Sequence, residues 1–149
     1  TSIGGLSAFA GTGITELTIP DCVKSIENGA FGSCEDLTSL NLGSVESIGV
    51  QAFEYTGITS LNLPDTLSEI GMGAFSFCKS LTSIDWPQNE NFTILTGFDN
   101  CQALSDAELE KALSVDSVTE LGYYAFDGCF FQNVTIPSNI KTIGDRAFY

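Results

Sequence analysis

The sequence predicts a repeat solenoid, a right-handed coil of about six 22-residue units that is mainly β, with short irregular or helical segments on its convex side. Three patterns predict it. A small residue followed by Phe recurs at Phe9, Phe31, Phe53, Phe75, Phe98, Phe126 and Phe148, with successive spacings of 22, 22, 22, 23, 28 and 22. A strand-like stretch follows in most units: ITELTIP from Ile14, LTSLNLG from Leu37, ITSLNLP from Ile58, LTSIDWP from Leu81 and FQNVTIP from Phe131. A second, shorter apolar pair comes next: Val23 with Ile26, Val45 with Ile48, Leu67 with Ile70, Val118 with Leu121, Ile140 with Ile143.

Each part of the unit has a physical reading. One coil of this length cannot bury its own apolar side chains, so coils must stack and bring each inward Phe, Leu and Ile against its counterpart. Leu61 and Leu63 alternate with Ser60 and Asn62, the period of two that puts alternate side chains on opposite faces of a strand. Pro64 and its equivalents end the strand, because proline has no amide to give to a ladder. Gly49, Gly71, Gly122 and Gly144 follow the second pair and fit a turn. Three residues after Phe stands a small side chain: Thr12, Cys34, Thr56, Cys78, Cys101 or Cys129. The interchange of Thr and Cys marks a small buried position rather than a reactive one.

The unit AFxxCxxLTxLxLPxxVxxIGxx has a period in the leucine-rich-repeat range. It resembles the BspA-like leucine-rich repeats, also called the Treponema pallidum type, over nearly the whole chain. Such repeats occur on surface proteins of bacteria and of some parasitic protists. The resemblance implies an extracellular or cell-surface module for recognition or adhesion, with a protein or glycan ligand, and not an enzyme. Residues 1–149 read as a single leucine-rich-repeat domain that is a fragment of a longer array, because the chain starts at Thr1 without Met and stops in mid-unit. Open ends of this kind predict end-to-end self-association through unpaired strand edges.

The irregular unit spans residues 88–117. The Ser105-Asp106-Ala107-Glu108 pattern is a capping box ahead of LEKAL, and Leu109, Ala112 and Leu113 form a modest apolar stripe. One inserted helix near 106–113 therefore takes the place of the expected strand, with Glu108 and Lys111 spaced to pair. Trp86 stands at an inward strand position and reads as core.

Composition narrows the function. Nineteen acidic residues against 5 basic ones give a formal net charge of -14, which disfavours nucleic acid and anionic lipid as partners. No apolar run is long enough to insert in a membrane. The chain has no His, so the commonest general base and metal ligand is missing. Neither a catalytic residue nor a metal or cofactor site is predicted. Asp85 with Glu90, or Asp106 with Glu108, are acid pairs of the kind expected by chance at this density. Cys34 and Cys78 are two coils apart, about 10 Å at strand spacing, too far for a disulfide. Cys101 and Cys129 are neighbours by repeat count, but the insertion is expected to separate their strands, and the thiols read as free.

Binding is expected on the outward strand positions: Glu16 and Thr18, Ser39 and Asn41, Ser60 and Asn62, Ser83 and Asp85, then Asn133 and Thr135. Together they predict a continuous concave face of short polar side chains, without the Arg or aromatic anchors common at interfaces. The alternative is a structural spacer that holds other domains away from the cell surface. It is favoured by the sameness of neighbouring units, as in Ser39 with Asn41 and Ser60 with Asn62. Asn91-Phe92-Thr93 and Asn133-Val134-Thr135 match the glycosylation sequon, which matters only in a eukaryotic secretory host.

Overall fold

The computed structural model describes residues 1–5 and 7–149. Its elements, in chain order, are β1 (Ser2–Ile3), β2 (Glu16–Thr18), β3 (Ser25–Ile26), β4 (Ser39–Asn41), β5 (Ser47–Ile48), β6 (Ser60–Asn62), β7 (Glu69–Ile70), β8 (Ser83–Asp85), β9 (Ile94–Leu95), α1 (Asp106–Leu113), β10 (Glu120–Leu121) and β11 (Thr142–Ile143). They build a β-solenoid, as the repeat predicts, and every strand pairing is parallel. Two lines of strands run along it. The three-residue strands pair as β2 with β4 and β6 with β8. The two-residue strands form the ladder β1-β3-β5-β7 and then β9-β10-β11. Registers such as Leu61 with Ile84 and Ile48 with Ile70 match repeat positions one for one.

The core is a column of phenylalanines. Phe31, Phe53, Phe75 and Phe98 are fully buried, and neighbouring rings stack nearly parallel at centroid distances of 5.4, 5.4 and 5.3 Å. The column holds because the backbone beneath it is tied coil to coil: Phe53 N–H donates to Ala74 C=O (2.7 Å) and Phe75 N–H to Gly97 C=O (2.8 Å). It runs on across the insertion, with Phe98 and Phe126 at 6.3 Å and Phe126 and Phe148 at 5.9 Å.

The small residue three places after Phe closes each turn. Cys34, Cys78, Cys101 and Cys129 donate their thiols to the carbonyls of Phe9, Phe53, Phe75 and Phe98 in the preceding coil, at 3.2 to 3.4 Å. Thr56 Oγ1 bonds the Phe53 carbonyl of its own coil and also meets Cys78 Sγ. All five cysteines are free, and Cys22 is exposed. Burial pushes the Cys78 thiol up to about 11 and the Cys129 thiol up to about 12. Although the insertion displaces a strand, the turn that carries Cys129 still stacks on the Phe98 turn.

Two features of the turns were not readable from the pattern. The residue two after Phe adopts a left-handed conformation in every coil, with φ between +57° and +68° at Gly11, Ser33, Tyr55, Phe77, Asn100 and Gly128. Glycine and asparagine suit that region, whereas a tyrosine or phenylalanine there is an outlier. The glycines after the second apolar pair open turns as the pattern reads, the carbonyls of Gly49 and Gly71 accepting from the N–H of Ala52 and Ala74 at 3.3 and 3.1 Å, and they also meet a need the pattern does not show. Gly49 and Gly71 are needed for close approach, since a Cβ would lie 2.6 Å from Asn28 N and 2.5 Å from Val50 N of the coil before.

The helix forms where the capping pattern places it, at Asp106–Leu113, with Ser105 Oγ accepting from Glu108 N–H at 3.3 Å. Its apolar side (Leu109, Ala112, Leu113) is buried. The carboxylate of Glu108 does not turn back to the cap. Its Oε2 accepts the amide of Ile84 in β8 at 3.1 Å, and its Oε1 pairs with Lys111 Nζ. Ile84 stands in register with Leu61 of the coil before, at the edge of the ladder where the next strand would pair. A buried carboxylate thus stands in for the strand that the helix displaced.

The segment from Phe131 was expected to be a strand and is not one. Gln132 and Asn133 donate backbone amides to the Asp106 carboxylate at 2.9 and 3.1 Å. Asn139 Nδ2 donates to the carbonyls of Leu113 and Val118 at 3.1 and 2.9 Å. The segment clasps the two ends of α1 instead of joining a ladder, because the helix occupies the place of its neighbour strand. Val134 and Ile136 are left exposed in consequence.

Candidate binding face

The three-residue strands position the candidate side chains. In β2, β4, β6 and β8 the central residue (Leu17, Leu40, Leu61, Ile84) points into the core, so the flanking residues must point out. Glu16, Thr18, Ser39, Asn41, Ser60, Asn62, Ser83 and Asp85 are all exposed, as predicted. The pairings put Glu16 beside Ser39, Thr18 beside Asn41, Ser60 beside Ser83 and Asn62 beside Asp85. Two parallel rows of hydroxyl, amide and carboxylate groups result. Asn41 spends its side-chain oxygen on the Gly43 amide at 2.9 Å, which fixes the orientation of its amide.

Asn133 and Thr135 do not belong to this face. They are exposed but lie on the strandless segment beyond α1, and Asn133 Nδ2 is held by Asp106 at 3.1 Å. The N–H donors converging from Gln132 and Asn133 hold the Asp106 carboxyl below its ordinary value. Asp106 and Glu108 therefore serve different partners and do not form an acid pair.

The interruption creates relief at the end of the face. Between the β8 edge and the C-terminus of α1 lie two adjoining grooves, each of about 340 Å3. One is lined by Asp85, Trp86 and Gln88 on the strand side and by Lys111, Ser114 and Asp116 on the helix side. Trp86 is half-buried, packed edge-on against Phe98 at 5.2 Å and tilted on Phe92 at 6.4 Å. Its Nε1, and the hydroxyl of Ser117 in the adjoining groove, are buried without a hydrogen-bond partner. Trp86 is thus both a core residue and part of a groove wall, of which the sequence reading saw only the first. On the line of two-residue strands, Lys24 and Glu46 pair at 3.2 Å with both side chains about half exposed, a contact worth little.

No helix is long and apolar enough to cross a membrane among the described residues, and no group of His, Cys, Asp or Glu among them is arranged to hold a metal ion.

A solenoid of parallel strand lines on a phenylalanine column, with one polar strand face, defines a leucine-rich-repeat scaffold, a non-enzymatic fold used for protein interaction. The chain belongs to the BspA type leucine rich repeat family, whose six-copy model matches residues 1–115 and 98–149. No curated protein matches the chain. Solved structures of the same fold include the pneumococcal vaccine antigen PcpA (22% identity, TM-score 0.64, covering 84% of this chain and 31% of that one). A leucine rich cell surface protein from Faecalibacterium prausnitzii matches with 22% identity and TM-score 0.52, over 88% of this chain and 41% of that one. A Treponema pallidum leucine-rich repeat protein matches with 20% identity and TM-score 0.52, over 97% and 65%. The chain spans between 31% and 65% of the length of these three.

Proposed function

We propose that the chain is an extracellular, cell-surface recognition module that holds a protein or glycan ligand on the face of β2, β4, β6 and β8. One observation carries this reading: eight exposed polar side chains, all but Glu16 short, stand in the two ladders β2-β4 and β6-β8 and end at two adjoining grooves, one holding the unpartnered Nε1 of Trp86 and the other the unpartnered Oγ of Ser117. Short polar side chains lose little rotamer freedom when they bind. The groove beside α1 gives an otherwise flat face a point of orientation. A surface location is supported by the family and by two similar structures, one of a cell surface protein and one of a vaccine antigen.

The chain is further proposed to be one domain within a longer array.

The test is a binding screen of the purified chain against host matrix proteins, mucins and glycans, beside a triple variant Asn41→Lys, Asn62→Lys, Asp85→Lys. All three positions are exposed, and circular dichroism checks that the variant stays folded, because Asn41→Lys also removes the acceptor of the Gly43 amide. Saturable binding by the parent that the variant loses supports recognition on this face. Binding that survives in the variant moves the ligand elsewhere. A folded chain that binds nothing leaves the spacer role, which the repetition of Ser39 with Asn41 in Ser60 with Asn62 favours.

A further inference from the structure

A second surface, on the turns rather than the strands, has the chemistry of a cation site. The left-handed position two residues after Phe carries Gly11 and Ser33 in the first coils, and Asn100 and Gly128 in later ones. Small residues and asparagine accept that backbone readily. Between them stand Tyr55 and Phe77, with φ of +57° and +58°. Their rings stack at 4.5 Å, and Tyr55 is exposed. Bulky aromatics held in a disfavoured backbone, Tyr55 exposed and Phe77 half-buried beside it, are not what the turn conformation selects, which glycine would serve better here.

Phe77 forms one wall of a groove of about 560 Å3, with Met72, Tyr123 and Tyr124 among its other apolar walls. Glu54, Asp99 and Asp127 line the same groove. Burial raises the Glu54 carboxyl, a hydrogen bond from Gln51 offsets part of the rise, and the nearby Asp99 adds to it. Ser76 donates to Asp99. Asp127 Oδ1 is buried and receives no hydrogen bond.

The chain's own cations mark what such rings accept. Lys79 Nζ lies 6.0 Å from the Phe77 ring centre, and the Arg146 guanidinium lies 5.6 Å from that of Tyr124 and 5.0 Å from that of Tyr149. All three are distances at which a cation is drawn to an aromatic face. Neither side chain lines the groove, and none of the charged residues that line it is basic.

We propose that this groove binds a basic peptide segment of a partner protein, an arginine side chain entering between the Phe77 and Tyr124 rings with its guanidinium on the Glu54, Asp99 and Asp127 carboxylates. Charge selects the occupant. A neutral sugar would also stack on the rings, but it leaves three crowded carboxylates uncompensated, whereas a guanidinium offers several donors to them. The site is distinct from the strand face and does not rest on the function proposed for it.

The test uses fluorescence anisotropy with a labelled peptide of alternating glycine and arginine, and a second peptide with citrulline replacing arginine. The chain binds the arginine peptide and not the citrulline one. Tyr55→Gly with Phe77→Gly weakens binding at least tenfold while leaving the unfolding midpoint unchanged or higher, since glycine suits the left-handed backbone. Glu54→Gln with Asp127→Asn weakens it comparably. Glu69→Gln with Glu110→Gln, which removes the same charge from other exposed sites, leaves it unchanged. Equal weakening by both acid-to-amide variants, or full binding by the double glycine variant, overturns the site in favour of general attraction to an acidic protein. Equal binding of the citrulline peptide overturns the cation and points to a neutral ligand.

Discussion

Glu108→Ala tests whether one carboxylate replaces a missing strand. Glu108 is 8% exposed and Ile84 is 2% exposed, so removing the carboxylate leaves a buried amide with no acceptor. Such a group costs about 1–3 kcal/mol. Loss of the Lys111 contact adds little, because the Lys111 side chain is 62% exposed. Against a domain stability of about 5–15 kcal/mol and a urea dependence of about 1–3 kcal/mol per molar, the midpoint of urea unfolding falls by about 1 M. Glu108→Gln keeps a neutral acceptor and loses about 1 kcal/mol. Lys111→Ala changes almost nothing. Unfolding is followed by circular dichroism, and amide exchange at Ile84 is read by NMR. The reasoning is refuted if Glu108→Ala leaves both the midpoint and the protection of the Ile84 amide unchanged, or if Lys111→Ala costs as much.

Three further outcomes follow from the geometry. Phe53→Ala, which empties a fully buried site stacked on both sides, costs about 3–5 kcal/mol, whereas Phe9→Ala, with the ring 45% exposed and stacked on Phe31 alone, costs less than half as much in the same urea assay; equal losses would deny the column its role. In the native chain at pH 8 a maleimide modifies Cys22 quickly and the other thiols only on unfolding, because Cys34, Cys78 and Cys101 are buried and the raised Cys78 and Cys129 thiols stay protonated; mass spectrometry counts the adducts. The lowered Asp106 carboxyl stabilises the clasp of residues 132–133 above its ordinary value of 3.8, and that contribution is lost as pH falls through the lower folded value. The Asn133 amide resonance should therefore move only in acid, and Asp106→Asn should release the segment at neutral pH.

The coil period, the inward strand residues and the helix were legible because each is a local pattern repeated at fixed spacing: Phe31 to Phe53 to Phe75, or Ser105 three places before Glu108. What escaped was set by neighbours. FQNVTIP from Phe131 matches the strand pattern as well as LTSLNLG does, yet a strand needs a partner, and α1 stands where that partner would be. Glu108 was read as a cap and a salt-bridge partner; that it also closes the edge of β8 depends on a strand in another coil. The eight outward residues of the first four coils were found because alternation suffices to place them, while Asn133 and Thr135 were misplaced with their segment. The left-handed turn position was signalled by Gly11, Asn100 and Gly128, but Tyr55 and Phe77 at the same place hid it.

The break at α1 also bears on how the molecule carries load. Consecutive coils up to β8 are joined by strand pairing on one or both lines and by the ring column between them. After β8 one of those seams is reduced to a single carboxylate-amide contact. A solenoid tethered at one end and pulled at the other tears where its stitching is thinnest. Tension along the axis would therefore open this molecule at a boundary where only one strand line is paired, beside α1 or between β4 and β6, with the coils on either side still intact.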